Sequence, residues 1–115
     1  MIEKKVTIDG KEYTFRSSAL IPKLYRAKFD RDMVVDMREL ANAYKDSKEM
    51  TIFNLEIFER AAWIMLKHAE EEDVGEDPDE WLMSLDGPFS VYEALPSILE
   101  LWNHNNKTTS VPKKE

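Results

Sequence analysis

Residues 54–72 read NLEIFERAAWIMLKHAEEE, and this stretch decides the fold. Its apolar residues fall on two stripes at helical spacing. Leu55, Phe58, Ala62, Met65, Leu66 and Ala69 form one, and Ile57, Ala61 and Ile64 the other. A surface helix needs a single stripe, so a helix that is apolar on two sides belongs at the centre of a bundle. Asn54 is its expected N-cap, with Phe53 and Phe58 placed to staple the start. Trp63 falls between the stripes, next to Arg60 and Lys67, which predicts partial exposure and makes it an interface candidate.

Upstream, RDMVVDMRELANAYK (residues 31–45) carries Met33, Val34, Met37, Leu40, Ala41 and Tyr44 at the 3.6-residue period, which predicts a second helix. Asp30 is its expected cap, and Phe29 with Val34 its expected staple. Met33, Met37 and Met65 are read as core residues. Before this helix, ALIPKLYRAKF (19–29) reads as a short one, with Pro22 in the first turn where its missing N–H costs little. Leu20, Leu24 and Ala27 give an inward stripe. Tyr25 and Phe29 then widen that stripe beyond what a small bundle covers.

Nearer the N-terminus, KKVTIDGKEYTFR (4–16) places Asp9-Gly10 between two alternating runs, a hairpin signal because the two-residue turn needs positive φ at both positions. The register then pairs Ile8 with Lys11, Val6 with Tyr13 and Lys4 with Phe15. Ile2, Val6, Ile8, Tyr13 and Phe15 share one face, and Lys5, Thr7, Glu12 and Thr14 the other. A lone hairpin is marginal in water, so the apolar face must pack on helices or on another subunit.

Downstream, eight of the eleven residues from Glu70 to Glu80 are acidic, but the alternating ligands and central glycine of a calcium loop are missing, so the segment reads as a solvated acidic loop. Within it Asp77-Pro78-Asp79-Glu80 combines a cap, Pro at the first helical position and Glu two residues on. A short helix bearing Trp81, Leu82 and Leu85 follows, and Gly87-Pro88 stops it. Ser90 and Glu93 form a capping box opening SVYEALPSILELWNHN (90–105), in which Val91, Leu95, Ile98, Leu99 and Trp102 point inward and Pro96 is expected to kink or split the helix. The whole reads as one mainly α domain over residues 1–106. It comprises a hairpin at 4–16 and a bundle of four to five helices over about 19–104, with a flexible polar tail at 107–115.

The chemistry expected of this chain is binding. The 115 residues contain no cysteine, which removes disulfides, thiolate nucleophiles and the common zinc patterns and suits a reducing compartment. His68 and Glu72 stand four apart on a helix without a second nearby histidine, since His104 belongs to another helix, so no metal site is expected. Three glycines and no nucleophile elbow, P-loop or dinucleotide fingerprint leave no known catalytic motif; neither enzyme nor cofactor is expected. The net charge of −7 repels phosphate backbones, so direct nucleic-acid binding is not expected. MIEKKVTIDG has no apolar signal core, and no membrane segment is read. Cytoplasmic residence is the expectation.

Five stretches taken together resemble a family: GKEYTFRSS (10–18), LYRAKFDRDMVVDM (24–37), FERAAWIMLKHA (58–69), DEWLMSLD (79–86) and EALPSILELWNHN (93–105). They are similar to the tail assembly chaperones of siphophages and prophages of Gram-positive bacteria. The resemblance spans about residues 5–106, sharpest at LYRAKFDRD and around Trp81 and Trp102. It implies a self-associating domain in the host cytoplasm that coats the long tape measure protein, keeps it soluble and helps recruit tail tube subunits. It also implies a longer product made by ribosomal slippage, with which Lys113-Lys114 is compatible. The partner-binding candidates are Tyr25, Phe29, Trp63, Trp81 and Trp102. A different class stays open, a small acidic regulator such as an antitoxin or nucleic-acid mimic, with the 70–80 segment as its interface.

Overall fold

The computed structural model describes residues 2–45 and 50–110. The chain opens with an antiparallel hairpin, β1 (Ile2–Ile8) and β2 (Lys11–Ser17). Its register matches the sequence reading: Ile8 faces Lys11, Val6 faces Tyr13 and Lys4 faces Phe15. Asp9 and Gly10 both take positive φ, 53° and 81°, as the two-residue turn demands. Ile8, Tyr13 and Phe15 are buried, while Lys5, Thr7 and Glu12 face out.

Among the described residues five helices follow: α1 (Ile21–Phe29), α2 (Met33–Lys45), α3 (Ile52–His68), α4 (Pro78–Met83) and α5 (Leu95–Ser110). Mainly α with an N-terminal hairpin is therefore the observed class. As expected from its two stripes, α3 is the central element, packed against β2, α1, α2, α4 and α5 and buried without interruption from Ala61 to Leu66. Met33, Met37 and Met65 lie in the core. Pro96 splits the last helical run as expected: residues 90–94 form a 3-10 turn and the α-helix begins at Leu95. This helix continues to Ser110, past the boundary expected at Asn106. The rest of the expected tail, including Lys113-Lys114, lies outside the described residues.

Three helix starts differ from expectation. Asp30 does not cap α2; it closes α1 in a left-handed conformation (φ 56°), and the Asp32 carboxylate takes the capping role by accepting from the Val34 N–H at 3.0 Å. Asn54 is not the cap of α3 but the third residue of its first turn. Thr51 Oγ1 accepts from Asn54 N–H at 3.1 Å and Asn54 Oδ1 accepts from Thr51 N–H at 3.0 Å, a reciprocal capping box. Ser90 donates to Asp9 Oδ2 at 2.8 Å and so ties the last helical unit to the hairpin turn. Neither expected staple carries its helix start. Val34 and Phe53 are exposed, Phe29 stacks on Tyr25 and Trp63, and the Arg31 guanidinium lies over the Phe53 ring at 5.1 Å.

The acidic segment is more than a solvated loop. Residues 69–77 form a strap folded back along α3, with Val74 buried at its centre. Trp63 Nε1–H donates to Val74 O at 3.1 Å, Lys28 Nζ to Glu76 O at 2.9 Å, and Glu80 Oε1 accepts from Glu76 N–H at 2.9 Å. On the hairpin side, the Glu71 carboxylate accepts from the Thr14 N–H. Six acidic residues keep the strap polar outside, but its backbone and Val74 make it part of the fold.

Candidate partner-binding surface

Four of the five sequence candidates are in the core. Tyr25 and Trp81 are completely buried, and Trp63 and Trp102 are 3% and 7% exposed. Phe29 is half-buried. For Tyr25 and Trp63 the expected exposure is thereby corrected, whereas Trp102 points inward as expected, and the reason is local. The buried face of α1 is Ile21 and Tyr25, turned away from the expected Leu20–Leu24–Ala27 stripe. Tyr25, Phe29 and Trp63 form an aromatic ladder, edge to face, with centroids 5.1 and 6.0 Å apart. Trp63 is covered by the strap. Trp81 sits edge-on to Tyr13 at 5.8 Å, inside the hairpin face.

Tyr25 marks a polar centre that apolar periodicity does not reveal. Its hydroxyl donates to Asp36 Oδ2 at 2.8 Å and accepts from Arg60 Nε at 3.3 Å. Arg31 grips the same carboxylate with two bonds of 2.7 and 2.8 Å. Burial raises the Tyr25 hydroxyl to about 12. Burial also works to raise the Asp36 carboxyl, but the bonds from Arg31 and Tyr25 and the charges of Arg31 and Arg60 outweigh it and hold it below the usual range. The cluster fastens α1, α2 and α3 together. Asp36 lies between Met33 and Met37 on the buried side of α2, and that position was its only signal in the sequence.

With Tyr25 turned inward, the residues expected to be core become surface. Leu20 is 47% exposed, Leu24 is half-buried and Ala27 is exposed. They form one wall of a groove of about 520 Å³ between α1 and α3, with Trp63 and Ile64 on the other wall. Lys28 and Lys67 stand over the Trp63 ring, 5.3 and 5.7 Å from its centroid. His68 also lines the groove, its Nε2 2.9 Å from Ser18 Oγ and not directed to Glu72. Burial, then the neighbouring Arg16 charge, lowers the His68 pKa, so near neutral pH it adds no charge to the groove.

An apolar trough that includes two lysines can hold an apolar side chain row. A second, smaller patch comprises Val35, Ile52 and Phe53, which are 50%, 73% and 42% exposed. Arg31 and Glu39, one turn either side of Val35, touch Phe53 and Asn54 respectively, which places Val35 on the same seam. The sequence did carry a trace of the groove: α1 has more apolar residues than one face of a nine-residue helix can bury. No family model, curated protein or solved structure matches the chain.

Proposed function

We propose that this domain is a tail assembly chaperone of a long-tailed bacteriophage, acting in the host cytoplasm. It binds apolar helical segments of the tape measure protein, keeps that protein soluble and, self-associated along it, helps recruit tail tube subunits. The observation that carries this reading is the open α1–α3 groove with Leu20, Leu24 and Ala27 on its wall, a helix-sized apolar trough on a strongly charged surface. The resemblance in the LYRAKFDRD and tryptophan-bearing segments supplies the biological context. The reading of an acidic regulator has less support, because Glu71, Asp77 and Glu80 accept bonds from the chain's own backbone and are committed to the fold.

Co-expression with the tape measure protein tests the proposal by raising that protein's soluble yield. Leu20→Ser with Ala27→Glu is expected to abolish the gain while leaving helicity and melting behaviour at wild-type levels, since both positions are open to solvent. Tyr25→Ser is unsuitable for this purpose, because it would empty the core and remove the phenol that donates to the buried Asp36 carboxylate. A wild-type protein that leaves the tape measure protein insoluble would sink the chaperone reading.

A further inference from the structure

The two edges of the hairpin are not equally occupied. A two-residue turn is closed by its flanking pair, Ile8 with Lys11, so bonded pairs recur at every second residue. Val6, Lys4 and Ile2 therefore turn N–H and C=O toward β2, and Thr7, Lys5 and Glu3 turn theirs away from it. On β2, which lies against α3, the outward Thr14 N–H is taken by the Glu71 carboxylate of the strap. On β1 the outward backbone groups of Glu3, Lys5 and Thr7 have no partner among the described residues. α5 meets β1 through Lys4, on the inner face, and the 90–94 turn is tied at Asp9, past the strand end. A seven-residue strand with one open row of donors and acceptors is a template for another strand.

The side chains beside that row select the occupant. The outer face of β1 reads Glu3, Lys5, Thr7, an acid and a base two residues apart. Glu3 is paired across the hairpin with Arg16 at 2.6 Å, and Lys5 forms no ion pair among the described residues. We propose that β1 pairs antiparallel with β1 of a second copy, about a two-fold axis at Lys4, with Glu3 opposite Lys5 of the second copy. In this register the outward N–H and C=O of Glu3 bond with those of Lys5, and the two-fold repeats the exchange. The charges select the same register. Sliding one copy by two residues sets Lys5 against Lys5 in one direction and Glu3 against Glu3 in the other, both repulsive. A further slide opposes Lys5 to Thr7 and makes no ion pair. In the chosen register Arg16, Glu3 and Lys5 of the second copy form a row of alternating sign across the sheet. Lys4 falls opposite itself at the axis, and each copy offsets that charge with its own Glu100. The contact closes at two copies and leaves the β2 edges, bonded at Thr14 by the strap, at the ends of a four-stranded sheet.

Amide exchange of the full chain, followed by NMR at rising protein concentration, reads this edge directly. In dilute solution Glu3 and Lys5 are expected to exchange fast and Lys4 and Val6 slowly, because only the latter donate to β2. Toward about 1 mM, Glu3 and Lys5 slow about threefold as the dimer fills, while Thr14, already held by Glu71, keeps its rate. Sedimentation velocity follows the dimer itself. Glu3→Lys and Lys5→Glu each set like charges opposite one another, twice by symmetry, and are expected to weaken self-association about tenfold. An equimolar mixture of the two variants restores it, since each supplies the charge that the other lacks. That recovery also shows both variants to be folded.

A chain still monomeric at about 1 mM overturns the proposal. So does a dimer in which Glu3 and Lys5 keep their fast exchange, because another surface then makes it. Single reversals without effect, or a mixture that fails to recover, overturn it too. Amides that slow only when tape measure protein is added would give the edge to an extended partner strand, against the second copy. The pairing stands on this edge alone and needs nothing of the α1–α3 groove. Slowed exchange without tape measure solubilisation removes the chaperone reading alone, and solubilisation by a chain that stays monomeric removes this proposal alone.

Discussion

At the scale of single residues, Asp36 carries most of the fold's polar risk. Its carboxylate is nearly inaccessible and is held by Arg31, Tyr25 and Arg60 from three different segments. Asp36→Ala leaves a buried phenol and two guanidinium groups short of an acceptor and is expected to cost about 2–4 kcal/mol in denaturant unfolding, with Arg31 partly exposed and so discounted. The same residue sets a pH dependence. Its pKa is lower folded than unfolded, so its contribution is complete above the unfolded value near 4 and is lost as pH falls through the folded one. Glu59 works the other way, because burial, the leading cause, raises its pKa, so folding favours its protonated form and its ionisation removes stability as pH rises through the folded value. The wild type minus Asp36→Asn difference in unfolding free energy isolates the first effect. It is expected to shrink steadily as pH falls below about 5.

At the scale of elements, periodicity located every helix, and the Asp77-Pro78 start of α4 was legible, but the caps of α2 and α3 and the covered side of α1 were misjudged. Asp30 and Asn54 were the expected caps of α2 and α3, but Asp32 and Thr51 take those roles. The choice turned on a left-handed Asp30 and a reciprocal bond that spacing alone does not resolve. Thr51→Ala is accordingly expected to cost about 1 kcal/mol in thermal or chemical unfolding, more than Asp30→Ala. Trp63 was misread for a related reason: the strap that covers it is acidic, and acidic segments predict solvent, whereas Val74 and three carbonyls hold this one down. Gly75 is the hinge of that strap, at φ 75°, where an added Cβ would stand 2.5 Å from the Glu80 Cβ. Gly75→Ala is expected to lose about 1–3 kcal/mol and to raise the fluorescence quenching of Trp63 by solute quenchers as the strap lifts. Unchanged quenching would mean that the strap does not cover the indole in solution.

At the scale of the whole molecule, the hairpin register was legible to the residue, because Asp9-Gly10 leaves the turn no alternative conformation. What sequence could not give was the second use of Asp9, whose carboxylate also accepts from Asp86 N–H, Gly87 N–H and Ser90 Oγ. These partners, Ser90 first, hold its pKa below the ordinary carboxylate value. Asp9→Ala is therefore expected to speed amide exchange at Asp86 and Gly87 with little change in the α1–α3 region, and exchange that stays slow would refute the link. The same closure orders events in time. β1 and β2 are covered in part by α5, with Lys4 paired to Glu100 across the junction. A ribosome adding about 5–20 residues per second therefore emits the hairpin roughly 4–16 s before the helix that shelters it. For that interval Ile8, Tyr13 and Phe15 lack their final cover, and the nascent chain is itself a client in need of shielding.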